Sequence, residues 1–147
     1  MMRHTRLEHR FTAIIPDKLL PGILYVSIDY AMAAHSCCCG CGEEIVTPFT
    51  PTDWRMEFDG ETISLSPSVG SWTLPCRSHY FIRRGKVAEA APWTEEQVDA
   101  ERRRDRHAKQ KHYAENEKAP PPSIPRRPEA PPPASGLVER IRKWFGF

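Results

Sequence analysis

The sequence predicts a mainly β protein: a small metal-stapled β-sheet or half-barrel domain, then a C-terminal polar helix, a Pro-rich linker and a short terminal amphipathic helix. Three observations carry this expectation. Short runs rich in β-branched and aromatic residues recur between Pro and Gly turn signals through residues 1–93. Four of the five cysteines fall within Cys37-Cys38-Cys39-Gly40-Cys41, and the fifth opens Cys76-Arg77-Ser78-His79. From Thr94 to residue 135 the large apolar side chains almost vanish. A folded unit of about 90 residues buries little enough surface for a metal cross-link to matter.

The elements follow in order. Phe11-Thr12-Ala13-Ile14-Ile15 reads as a strand stopped by Pro16, and Gly22-Ile23-Leu24-Tyr25-Val26-Ser27-Ile28 as a second, with Pro21-Gly22 as the turn between them. The cysteine loop comes next, with Gly40 and Gly42 supplying backbone freedom. Glu44-Ile45-Val46-Thr47 is a short strand ended by Pro48. The run from Asp53 to Leu65 predicts a hairpin with a two-residue turn at Asp59-Gly60. That turn would set Phe58 against Glu61, Met56 against Ile63 and Trp54 against Leu65, so that Trp54, Met56, Ile63 and Leu65 share one face. A second hairpin, His79–Arg83 and Lys86–Glu89 around Arg84-Gly85, would pair Ile82 with Val87. His79 would then start a strand and face away from Tyr80.

Thr94-Glu95-Glu96-Gln97 matches a capping box and opens the polar helix expected over 94–118. Its seven acidic and seven basic residues leave little face to bury, and Asp99/Arg103 and Asp105/Lys109 have i,i+4 spacing. Residues 119–135 contain eight prolines, the composition of an extended disordered linker. In 136–147, Leu137, Val138, Ile141, Trp144 and Phe145 share one helical face beside Arg140, Arg142 and Lys143, the pattern of a peripheral docking helix.

A net charge of +2 does not point to nucleic acid, and neither a phosphate-binding Gly loop nor a stacking-aromatic RNA motif is present. No apolar run is long enough to span a membrane, and the first ten residues lack the apolar core of a leader, so clustered thiols suggest a reducing cytoplasm. Disulfides fit poorly, because the cysteine count is odd and three cysteines are consecutive.

A metal site fits better. Cys37, Cys38, Cys39, Cys41, Cys76 and His79 are six candidate ligands for the roughly four positions of a tetrahedral ion. Cys38 and Cys41 form a C-x-x-C pair and Cys39 and Cys41 a C-x-C pair, and spacing does not choose between them. His35 reads as an ordinary satisfied histidine. Zn2+ is the default ion for such a set, with an iron–sulfur cluster as the rival. Glu43 and Glu44 follow the knuckle and are candidate general bases for a catalytic ion, yet several thiolates weaken Lewis acidity, so residue chemistry favours a structural site. Ser66, Ser68 and Ser78 are hydroxyls without an identifiable triad partner.

The stretch from Pro16 to Val87 resembles a small bacterial Cys-rich family named only as a domain of unknown function. The resemblance rests on Gly22 to Ser27, His35-Ser36-Cys37-Cys38-Cys39-Gly40-Cys41-Gly42, Trp54, Asp59-Gly60, Ser64 to Gly70 and Pro75 to Ile82. It implies that Cys37, Cys39, Cys41, Cys76 and His79 carry the metal, with Cys38 an extra thiol. It also implies a setting beside bacterial ubiquitin-like proteins and their conjugation enzymes, and hence a zinc-dependent peptidase that matures or removes a ubiquitin-like protein. The rival reading is a non-catalytic zinc-stabilised binding or scaffold module, and the third an iron–sulfur redox protein.

Overall fold

Eight strands and one helix make up the architecture seen in the computed structural model, which describes residues 1–118. The Pro-rich linker expected over 119–135 and the docking helix over 136–147 lie outside the described residues. By internal contacts Met1–Asn116 forms one unit.

The first sheet has the order β1 (Glu8–Phe11), β2 (Ile23–Ser27), β3 (Met32–Ser36), β4 (Glu44–Pro48). The first strand lies earlier than the expected 11–15 and pairs parallel to β2, Glu8 with Ile23 and Phe11 with Val26. A parallel pair cannot be closed by the tight turn expected at Pro21-Gly22. Residues 12–22 cross instead over the outer face of the sheet, where Ile15 and Leu19 cover Ile23, Tyr25 and Ala34. All five residues of β2 are therefore buried, which explains its unbroken apolar run. Strand β3 carries no turn chemistry ahead of the cysteines and was not expected; it pairs with β2 and β4.

The second sheet is β5 (Arg55–Phe58), β6 (Ile63–Gly70), β7 (His79–Arg83), β8 (Lys86–Glu89), antiparallel throughout. The β5–β6 register is shifted by two residues from expectation, with Phe58 opposite Ile63 and Met56 opposite Leu65. The cause is Asp59, whose Oδ1 accepts the Glu61 and Thr62 N–H groups and whose Oδ2 accepts the Thr62 hydroxyl, so the loop takes four residues. These bonds, Thr62's foremost, hold the Asp59 carboxyl down at about 2. A shift of two keeps every side chain on its face, so the predicted core face survives. The β7–β8 hairpin has the expected register, Ile82 opposite Val87.

Leu24, Val26, Ala33 and Ile45 of the first sheet join Ile63, Leu65, Val69, Tyr80, Ile82 and Val87 of the second in one core. His35 is buried there too, 2.7 Å from the Tyr80 hydroxyl, and burial lowers its pKa to about 4. Helix α1 (Glu95–Lys118) starts with the predicted capping box: Thr94 N–H donates to Gln97 Oε1 at 2.9 Å and Gln97 N–H to Thr94 Oγ1 at 3.3 Å. Val98 is 1% exposed, and Lys109 bridges to Asp53 on the sheet side at 2.9 Å as well as to Asp105. No helix among the described residues is long and apolar enough to cross a membrane.

Candidate functional site

Two constellations grow from one segment, Cys76-Arg77-Ser78-His79. The first is a thiol cluster. The knuckle after β3 is closed by Cys37 N–H to Glu43 O (2.8 Å) and Gly40 N–H to Cys37 O (3.0 Å). Gly40 has φ +87°, and a Cβ there would come within 2.5 Å of the Arg3 side chain. Arg3 belongs to the N-terminal segment, whose Arg3 and His4 N–H groups both donate to Cys38 O. In this frame the sulfurs of Cys37, Cys39, Cys41 and Cys76 lie within 4.8 Å of one another. Tetrahedral Zn–S bonds of about 2.3 Å would set sulfurs about 3.8 Å apart, so the set fits a thiolate-bound ion with little adjustment. None of the five cysteines is in a disulfide.

The environment of the sulfurs differs. Burial raises the Cys39 thiol to about 12 and also raises Cys41. Burial works the same way on Cys76, yet hydrogen bonds from the Ser78 N–H and hydroxyl and from its thiol neighbours outweigh it and bring Cys76 down to about 7. The Ser78 hydroxyl sits between two cluster sulfurs, 3.1 Å from Cys37 Sγ and 3.6 Å from Cys76 Sγ. Cys38 is turned away into the core, against Tyr80, where burial pushes its thiol to about 12. Glu43 and Glu44 are exposed.

His79, grouped with these cysteines by spacing, has other partners. Its Nδ1 lies 2.8 Å from the Ala91 carbonyl and its Nε2 2.8 Å from the Ser68 hydroxyl. Strand alternation explains the meeting. Val69, Tyr80 and Ile82 point to the core, so Gly70 and His79, opposite each other in the ladder, share the outer face. Ser68, adjacent to the inward-facing Val69, lies on that face by the same alternation, and a bulge sets its offset. Leu65 pairs with Ile82 but Val69 with Tyr80, so β6 spends two more residues than β7 between those pairs, and Ser68 stands diagonal to His79 while Gly70 is opposite it. Pro67, which has no N–H for the ladder, stands inside the bulge.

Aromatic rings enclose the imidazole. Trp72 and Trp93 stack at 5.2 Å with 13° between planes, and each lies about as close to His79, at 5.0 and 5.1 Å. Gly70 makes this possible, because a Cβ there would meet the Trp72 indole at 2.5 Å. Beside the dyad lies a cavity of about 300 Å³ lined by Trp54, Pro67, Gly70, Trp72 and Trp93, with Val98, Glu101, Arg102, Asp105 and Lys109 of α1 opposite. Ser68 and His79 both stand out in the sequence, but no spacing joins them. The one signal available was His79 facing away from Tyr80; that β6 and β7 are neighbours, with Ser68 beside His79 on their outer face, has no signature in spacing.

Residues 11–90, more than half of the chain, match the family described as bacterial ubiquitination-like system serine protease (BubE), and the chain belongs to that family. This places it with a bacterial ubiquitination-like system and overturns the expectation of a zinc-dependent peptidase, since the family is described as a serine protease. The physical reason is consistent: the four sulfurs that could hold an ion would fill its tetrahedral positions and leave none open for a reacting water. No curated protein and no solved structure matches the chain.

Proposed function

We propose that this member of a serine protease family is a peptidase for the ubiquitin-like protein of its system, with Ser68 as nucleophile and His79 as general base. One observation carries the assignment: the imidazole lies 2.8 Å from the Ser68 hydroxyl on one side and 2.8 Å from the Ala91 carbonyl on the other. A carbonyl oxygen can only accept, so Nδ1 carries the ring proton and Nε2 offers its lone pair to the Ser68 O–H. That is the tautomer a general base needs. Ser78, held between two sulfurs, and Ser66, at the start of the bulge, have no such partner.

In this reading Ser68 Oγ bonds to the carbon of the scissile amide while its proton passes to His79 Nε2. The C–N bond then breaks, and the leaving amine takes that proton, leaving an acyl ester on Ser68. A water then gives a proton to Nε2 and bonds to the ester carbon; the C–Oγ bond breaks, Ser68 Oγ takes that proton back, and the carboxylate is released. Ala91 supplies a neutral carbonyl where many triads have a carboxylate. It fixes the tautomer but stabilises the imidazolium less. Trp72 and Trp93 hold the ring in place and keep water from its faces.

Cys37, Cys39, Cys41 and Cys76 hold zinc, as the all-thiolate donor set favours, and when bound the ion supplies a cross-link between the knuckle and the turn that leads into His79. A fluorophosphonate probe followed by peptide mapping tests the proposal. Label is expected on Ser68, and Ser68→Ala should abolish both labelling and cleavage of a ubiquitin-like protein with an extended tail, with bound metal unchanged. Label on a different residue, or cleavage that survives Ser68→Ala, refutes it.

A further inference from the structure

We infer that the peptide segment flanking the scissile bond binds as an added strand in the cleft between the open edge of β6 and helix α1, pairing with the main chain of Gly70. The inference rests on Ser68 as the nucleophile and goes on to say how the polypeptide is held there.

The argument starts from hydrogen-bond parity. Ser71 N–H donates to Ser78 O at 2.8 Å, so Ser71/Ser78 and Val69/Tyr80 are the hydrogen-bonded pairs of the β6–β7 ladder. Gly70 and His79 between them form a non-hydrogen-bonded pair, whose main-chain groups point away from each other. The His79 carbonyl accordingly turns toward the β8 side, where it accepts from Ala90 N–H at 2.8 Å. The Gly70 N–H and C=O must therefore face the opposite side. Strand β5 would occupy that side, but it begins at Arg55, opposite Ser66, and does not extend along residues 67–70. Gly70 thus presents a donor and an acceptor into the cavity it lines.

Such an edge accepts an extended chain by main-chain pairing. Gly70 lies two residues, roughly 7 Å in a strand, from Ser68. A substrate residue paired with Gly70 therefore lies close enough for a carbonyl of the same extended segment to reach Ser68 Oγ. Trp54, Trp72 and Trp93 offer apolar walls.

Helix α1 closes the far side. Val98, Glu101, Arg102, Asp105 and Lys109 recur at helical spacing on one face and all line the cavity. This face lies outside residues 11–90, so the chain builds half of the cleft from a segment beyond the family match.

The test uses the full chain. A peptide spanning the cleavage point is made with single backbone N-methyl groups along its length, and kcat/KM is measured for each. An added strand turns alternate amides toward Gly70, so losses of about tenfold are expected at the position that pairs with it, with much smaller losses at its immediate neighbours. A benzophenone side chain on a neighbouring residue, presented to the Ser68→Ala protein, should crosslink to α1 between residues 98 and 109. A flat N-methyl profile, or crosslinks confined to other elements, overturns the cleft. Turnover of p-nitrophenyl acetate by the unaltered protein, absent in Ser68→Ala, reports on the dyad alone. A flat profile with that turnover intact defeats the docking inference, whereas loss of the ester activity defeats the Ser68 assignment beneath it.

Discussion

Cys76 and His79 are three residues apart in the sequence, and the structure assigns them to opposite kinds of site. Cys76 enters a closed set of four sulfurs within 4.8 Å, with the Ser78 hydroxyl tucked between two of them. His79 starts β7 on the outer face of the sheet, bonded to Ser68 and boxed by two tryptophans beside a cavity of about 300 Å³. One constellation has its valences filled from within the chain; the other ends in a lone pair, a hydroxyl and an open sheet edge. A C-x-x-H spacing measures separation along the chain only. Where a turn runs into a strand, residues on either side of the junction diverge, and here they end in two separate constellations.

The comparison can be broken at either end. The largest effect is expected at the sulfurs. Cys39→Ser or Cys76→Ser, or removal of the metal by chelation, should cost several kcal/mol of stability, seen as a large fall in Tm together with loss of bound zinc. A metal-free protein that keeps its Tm but loses turnover would instead tie the ion to the reaction. Next comes His79→Ala, expected to lower kcat by about 10³-fold or more while zinc content stays at one ion per chain. If zinc content falls with it, His79 is a ligand and the two constellations are one.

Smaller effects separate the supports of the two sites. Val98 is the buried anchor of α1, and Val98→Ala should lower stability by about 1–2 kcal/mol in denaturant titrations without releasing zinc. The smallest effect is expected far from both, at the β5–β6 loop. Asp59 has a folded pKa near 2, below the ordinary 3.8, so its contribution is present above about pH 4 and is lost as pH falls toward 2. Asp59→Asn should remove that acid-range dependence of Tm and leave zinc binding and turnover at neutral pH as they were.

Much of the scaffold is legible in local chemistry. The β7–β8 hairpin has its expected register because Arg84 and Gly85 both adopt positive φ, as a two-residue turn requires. The helix starts at its capping box, and four cysteines converge as soft ligands should. The misses have physical causes. Asp59 captured two backbone amides and lengthened its loop, which moved the β5–β6 register without changing the faces. The parallel β1–β2 pair is set by contacts distant in sequence, and the polarity of α1 concealed a face that lines a cavity.

The sequence by itself therefore determined the β-rich class, the face on which each hairpin residue lies, the helix start and the presence of a thiol cluster. Each depends on residues within a turn or two of one another, where torsional preference and side-chain alternation act directly. Only the tertiary structure decided which residue His79 serves. That choice rests on β6 and β7 being neighbours, which puts the outward-facing Ser68 within 2.8 Å of the imidazole, and on Ala91, returning from beyond β8 to fix the ring's tautomer. Which strands become neighbours, and so which outward-facing side chains meet, is set by contacts distant in sequence, and no local pattern of residues records it.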